Sequence, residues 1–203
     1  MMPNLDHFVS FMKKHGASKD KPVVCYDQSN LMFACRAGWL LHIFGHQEVF
    51  ILEGGLPKWK SEGRAVESGA DASVQEGGDF SYGAPNMAIY RSFENIVDTV
   101  KSGNEQIVDV RPEASFAAGS IPTSKSVPAP SLINADGSIK SKEEVESIFK
   151  SANVDLAKPI VFSCGGGIMA TVAYLICEHR GVKENNLSVY DGSYSEYAAR
   201  SQQ

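Results

Sequence analysis

Two stretches of this 203-residue chain repeat one another. PVVCYDQSNLMFACRAGWLLHIFGHQEVFILEGGLPKW (22–59) aligns with PIVFSCGGGIMATVAYLICEHRGVKENNLSVYDGSYSEY (159–197), with Pro22 on Pro159 at an offset of 137 and Trp59 on Tyr197 at 138. Each copy reads as an apolar strand, a loop, an apolar helix, a second strand and an acidic-glycine turn. The turn is Glu53-Gly54-Gly55 in one and Asp191-Gly192-Ser193 in the other. LDHFVSFMKKHG (5–16) pairs in the same way with EEVESIFKSAN (143–153). A repeat of this length marks a duplicated α/β unit. Its β-branched strands, each followed by a helix of about a dozen residues, call for a parallel sheet with helices on both faces.

The copies are unequal. The second is preceded by a helix (FENIVDTVKSG), a strand (EQIVDVR), a loop (PEASFAAGSIPTSKSVP) and a further helix, whereas only 21 residues precede Pro22. The first unit therefore reads as a partial domain over 1–66, without a counterpart of the IVDVR strand. Gly/Ser/Asp-rich residues 67–86 read as a linker, and 87–203 as a complete domain. A partial sheet leaves strand edges and a helix face uncovered, so a protein partner is expected to complete the first unit.

Charge and composition narrow the function. The net charge is −5 with no basic run, and the isoelectric point is about 5.5, which argues against nucleic acid and anionic membrane as partners. No apolar segment reaches the ~20 residues of a membrane span, so direct membrane insertion is not expected. MMPNLDHF resembles neither a signal nor a transit sequence. Cys25, Cys35, Cys164 and Cys177 show no CxxC spacing. They read as reduced thiols of an intracellular compartment, with no zinc and no cofactor expected.

Cys164 stands apart. It follows the strand IVFS and precedes Gly165, Gly166 and Gly167, with a helix expected from about Ile168. That is where open parallel sheets bind ligands, beyond the carboxyl ends of the strands. Successive glycines allow positive φ and let backbone N–H groups converge with the helix N-terminus on one anion, here a thiolate. A buried small hydrophobe in a tight turn is the competing reading, and on residue chemistry alone both stay open. Gly165-x-Gly167-x-x-Ala170 fits a dinucleotide fingerprint only formally, because Asp191 lies too far along the chain. A P-loop needs Gly-Lys-Ser/Thr where Ile168-Met169-Ala170 stands, and a cysteine phosphatase needs an arginine at Ala170.

These motifs resemble the two-domain rhodanese family, the thiosulfate and 3-mercaptopyruvate sulfurtransferases. FGHQEVFILEGGLPKWKSEGRAVESG is similar to that family's inactive N-terminal domain. DVRPEASFAAGSIP is similar to its D-x-R…G-H-I-P segment, YDGSYSEY to Y-D-G-S-W-S-E-W, and FSCGGGIMA to the active loop, C-G-S-G-V-T-A or C-R-K-G-V-T-A. The resemblance implies a rhodanese-like α/β fold. It also implies a Cys164 that takes a sulfane sulfur as a persulfide from a small anionic donor and passes it to a thiol acceptor. Gly165, Gly166, Gly167, Ile168, Met169 and Ala170 would then form the substrate-binding cradle. Relatives of this kind point to a mitochondrial or cytoplasmic location.

The chain departs from the family at several places. Gly166 and Met169 stand where the loop carries Ser and Thr, Ser120 stands where G-H-I-P carries His, and the two substrate-binding arginines have no counterpart. Arg111 is expected to pair inside the fold. His179, about 16 Å along a helix from the loop, is too distant to be a base, and His42 and His46 read as capping or core residues. Cys25, Cys35 and Cys177 read as core, and Asp27 stands at the Cys164 position of the first copy. A weakly active or inactive rhodanese-fold subunit with a structural role in a larger assembly is thus the alternative.

Overall fold

The computed structural model describes residues 2–46, 48–69, 77–81 and 83–201. They form two compact units, residues 2–86 and residues 87 onward. The first contains α1 (Leu5–Lys14), β1 (Val23–Cys25), α2 (Met32–Ile43), β2 (Val49–Ile51) and α3 (Gly55–Ser61). The second contains β3 (Tyr90–Arg91), α4 (Phe93–Ser102), β4 (Gln106–Asp109), α5 (Glu113–Ala117), β5 (Lys125–Ser126), α6 (Lys142–Ser151), β6 (Ile160–Ser163), α7 (Ala170–His179), β7 (Leu187–Tyr190) and α8 (Ser193–Arg200).

The second unit is built on a five-stranded sheet in the order β3-β7-β6-β4-β5, every pair parallel. β6 and β7 are buried along their whole length, because helices cover both faces. On one face Val161 and Tyr190 pack with Ile96 of α4, Ile107 and Ile121, flanked by Phe93, Val100, Tyr194 and Tyr197. On the other, Phe162 meets Phe149 of α6 edge-on at 6.2 Å between ring centres. Adjacent residues of β6 thus serve opposite layers, and this is why IVFS carries no polar/apolar alternation. Capping boxes start the flanking helices: Ser92 with Asn95 at α4, and Ser141 with Glu144 at α6. Each edge strand, β3 and β5, is only two residues long, which limits the backbone open to unwanted pairing.

Residues 112–128, expected as a loop, hold the helix α5 and the edge strand β5. Elements of five and two residues are too short to impose a readable period.

The first unit keeps only the centre of this plan. β1 and β2 pair in parallel, Val23 on Val49, Val24 on Phe50 and Cys25 on Ile51. α2 buries Ala34, Cys35, Gly38, Trp39, Leu41 and Ile43. Phe8 of α1 stacks on Phe44 at 4.7 Å and meets Phe80 edge-on at 6.0 Å. Phe80 corrects the linker expectation for residues 77–86. It is fully buried, its N–H donates to Ala17 O, and Gly78 and Asn86 donate to Lys13 O and Ile43 O. A single apolar side chain in a Gly/Ser/Asp-rich run anchors it to the core. Residues 70–76 and 82 of that span lie outside the described residues.

Phe149→Ala should cost the second unit about 3–5 kcal/mol, read as a lowered urea midpoint; an unchanged midpoint would contradict the two-layer packing on β6.

Candidate active site

β6 ends at Ser163, and its direction delivers Cys164 to the carboxyl end of the sheet, at its centre. There the chain is tied to the turn after β7. Cys164 N–H donates to Ser193 Oγ at 3.0 Å, and so does Gly167 N–H at 3.0 Å. Tyr194 N–H donates to Cys164 O and Ser195 N–H to Gly165 O, both at 3.0 Å. The Ser193 hydroxyl gives its one proton to Tyr190 O at 2.9 Å and sits 3.8 Å from Cys164 Sγ. Gly167 N–H also points at that sulfur, at 3.2 Å.

These ties bury Cys164 to 3% exposure, where the glycine run suggests an open loop. Only Gly167 of the three glycines has positive φ, +77°. A Cβ there would lie 2.2 Å from Asp191 O, so glycine is required. The helix begins at Ala170 rather than Ile168, since Thr171 and Val172 N–H close tight bonds to Ile168 O and Met169 O. Consequently the N–H groups of Gly165, Gly166, Ile168, Met169 and Ala170 donate to no acceptor among the described residues.

What such amides do is visible in the first unit. Asp27, the counterpart of Cys164, accepts from Ser29 and Leu31 N–H at Oδ1 (2.8 and 3.1 Å) and from Phe33 and Ala34 N–H at Oδ2 (2.8 and 2.9 Å). By the repeat offset these amides correspond to Gly166, Ile168, Ala170 and Thr171. The first three of these are amides that donate to nothing in the second unit. The same clamp recurs too: Leu56 N–H donates to Asp27 O at 3.0 Å. In the first unit the loop is an anion nest filled by a fixed carboxylate, and in the second a thiol, Cys164, stands at the corresponding position.

The other residues singled out in the sequence fall elsewhere. Arg111 Nε lies 3.0 Å from both Asp109 carboxylate oxygens, and its Nη2 reaches Asp109 Oδ2 at 2.7 Å and Gly119 O at 2.6 Å. Its guanidinium also stacks 4.2 Å from the Tyr194 ring centre. Arg111 thereby supports the turn that clamps the loop. His46 is buried beside Lys21 O and the Phe80 ring, and His179 is exposed in the last turn of α7. Burial pushes the Cys25 thiol up to about 11 and Cys35 to about 12, and raises Cys177 further. Among the described residues no three His, Cys, Asp or Glu side chains converge on a metal position, and no helix is long and apolar enough to cross a membrane.

Sequence reasoning passed over Ser193, the residue on which the loop geometry turns. Its φ is +53°, a left-handed conformation costing a non-glycine roughly 1–2 kcal/mol. The available signal was its counterpart, Gly55, at φ +57°.

The Rhodanese-like domain family matches residues 1–62 and 92–200. The chain belongs to the rhodanese family. The 3-mercaptopyruvate sulfurtransferase of Escherichia coli K12 is 34% identical over 98% of this chain and 73% of its own length. The thiosulfate sulfurtransferase of Gallus gallus is 32% identical, over 98% of the chain and 71% of that protein. The crystal structure of the Escherichia coli 3-mercaptopyruvate enzyme SseA superposes with a TM-score of 0.86 at 34% identity, covering 97% of this chain and 75% of that one. The rhodanese fold, with its parallel sheets flanked by helices, is thus established for the chain.

Two measurements test this rhodanese loop. Iodoacetamide at pH 8 should label Cys164 first, since a thiol of pKa about 11, such as Cys25, is ionised to about one part in a thousand there; peptide mapping that finds Cys25, Cys35 or Cys177 labelled ahead of it would contradict the nest. Ser193→Ala strands two buried N–H groups and should cost about 1–3 kcal/mol in denaturant unfolding.

Proposed function

We propose that this rhodanese-family sulfurtransferase works through Cys164 as the sulfur carrier. The Cys164 thiolate attacks the outer sulfur of an anionic donor. With thiosulfate, the S–S bond breaks, sulfite leaves with the electron pair, and Cys164 holds an S–S⁻ persulfide. An acceptor thiolate then attacks the terminal sulfur, leaves as its own persulfide, and returns Cys164 as thiolate. With 3-mercaptopyruvate the C–S bond breaks instead, and the departing pyruvate enolate must take a proton. Cys164 reacts as its thiolate and no side chain of residues 165–170 is an acid, so that proton has to come from outside the loop.

Both half-reactions carry negative charge on or beside one sulfur. Backbone donors fixed in advance suit that demand, because they need no reorganisation as charge builds. The observation that carries this reading is the Asp27 carboxylate, held by four backbone N–H groups at the position equivalent to Cys164. Gly166, Ile168 and Ala170 offer the matching donors around Cys164, and Gly165, Gly167 and Met169 complete the cradle. The loop brings no cationic side chain to the donor. Binding therefore leans on amides alone, and a high KM is expected with thiosulfate or 3-mercaptopyruvate.

The deciding assay is sulfur transfer to cyanide and to a small thiol, run on the full chain. Cys164→Ser should abolish turnover, a loss of about a thousandfold or more, while Cys177→Ser retains it. Turnover unchanged by Cys164→Ser would defeat the assignment, and absence of any turnover in the unsubstituted chain would favour a structural role.

A further inference from the structure

One proton beside Cys164 has two acceptors within reach. Ser193 Oγ accepts from Cys164 N–H and Gly167 N–H, each at 3.0 Å, which uses both lone pairs of the hydroxyl. Its single proton goes to Tyr190 O at 2.9 Å, and Cys164 Sγ lies 3.8 Å away. The Gly167 N–H is itself shared, at 3.0 Å from Ser193 Oγ and 3.2 Å from Cys164 Sγ. Hydroxyl, amide and sulfur thus form a set in which one hydrogen bond can be traded for another. The set is buried, with Ser193 at 0% exposure.

Charge on the sulfur governs that trade. A thiol sulfur is a weak acceptor, so the hydroxyl proton is better placed on the Tyr190 carbonyl. A thiolate or persulfide carries negative charge, and hydrogen bonds to an ionised acceptor are roughly twice as strong as neutral ones. Burial strengthens the preference further. When Gly167 N–H turns fully to the charged sulfur, one lone pair of Ser193 Oγ is released. Rotation about the Cβ–Oγ bond then moves the hydroxyl proton from Tyr190 O towards Sγ. Residues 165–170 bring no hydroxyl of their own, and Thr171 gives its hydroxyl proton to Ile168 O at 2.7 Å.

The backbone points the same way. Ser193 holds a left-handed φ of +53°, where its counterpart Gly55 has +57°. A Cβ at Gly55 would lie 2.4 Å from Asp27 O, so the first unit, whose loop holds a permanent carboxylate, admits no side chain there. The strained serine occurs only in the unit that carries the thiol, and strain of this kind gathers at functional sites.

We propose that Ser193 is a catalytic residue of sulfur transfer: its hydroxyl donates to Cys164 Sγ when the sulfur is charged and to Tyr190 O when it is not. The proton stays bonded to Oγ throughout and only its acceptor changes. This rests on Cys164 being the sulfur carrier. The charged and titratable groups on the segments around the loop are Asp109 and Arg111, which pair with each other, Glu113 on α5, and Asp191, Tyr194 and Glu196 after β7. All are retained in the variants that follow, so a difference between proteins reports Ser193.

The test is the rate of Cys164 alkylation by iodoacetamide against pH in the full chain, with the adduct followed by peptide mapping. Ser193→Ala removes the hydroxyl, and Ser193→Gly removes it while suiting the left-handed backbone, as Gly55 does. In both variants the profile should move to higher pH, because the thiolate loses a donor. The rate at pH 7 should fall about tenfold and the high-pH plateau should stay unchanged. A serine that only braces the loop gives the opposite sign, since its loss releases Gly167 N–H entirely to the sulfur. A profile that stays in place or moves to lower pH, or a lowered plateau alone, would overturn the proposal. Alkylation needs no sulfur donor, so the Cys164→Ser turnover assay decides the carrier role separately.

Discussion

One hydroxyl organises the loop of the second unit. Ser193 Oγ receives the N–H groups of Cys164 and Gly167 and gives its proton to Tyr190 O, joining the ends of β6 and β7 through a single atom. Only a left-handed backbone presents it there, and the strain is borne by the surrounding network. Tyr194 N–H holds Cys164 O, and Arg111, locked to the buried Asp109, lies over the Tyr194 ring. Remove the hydroxyl and the sulfur, the Gly167 amide and the end of the central strand lose their common reference point.

The chain carries its own comparison for what that loop can hold. In the first unit the nest is closed by a carboxylate on the chain itself, which satisfies four donors and leaves nothing to exchange. In the second unit a thiol stands at that position, and the N–H groups of Gly166, Ile168 and Ala170 donate to no acceptor among the described residues. Burial raises the thiols of Cys25, Cys35 and Cys177 above their ordinary range.

Much of this was legible in the sequence, for identifiable reasons. The repeat survives at an offset of 137 to 138 because the central strands and α2/α7 are buried and hold their apolar pattern. Cys164, the glycine loop and the family motifs follow from it. What escaped notice depends on single residues and on chain direction. The edge strand β5 is two residues long, and Phe80 is one aromatic in a polar run. The burial of Cys164 comes from a turn nearly thirty residues later in the chain. Ser193 looks like a surface turn residue until its φ is known, and the role of Asp27 rests wholly on backbone donors that composition does not encode.

The outer and inner glycines of the loop differ in one respect that reaches past this molecule. A side chain at Gly167 would strike Asp191 O, whereas a Cβ at Gly165 would meet nothing within 4 Å. The inner position is closed to variation, and the outer one is free. Residue 165 can therefore change under selection without disturbing the fold, and it lies next to the sulfur. A substitution at that position changes the surroundings of the Cys164 sulfur while the Gly167–Asp191 contact beneath it stays the same.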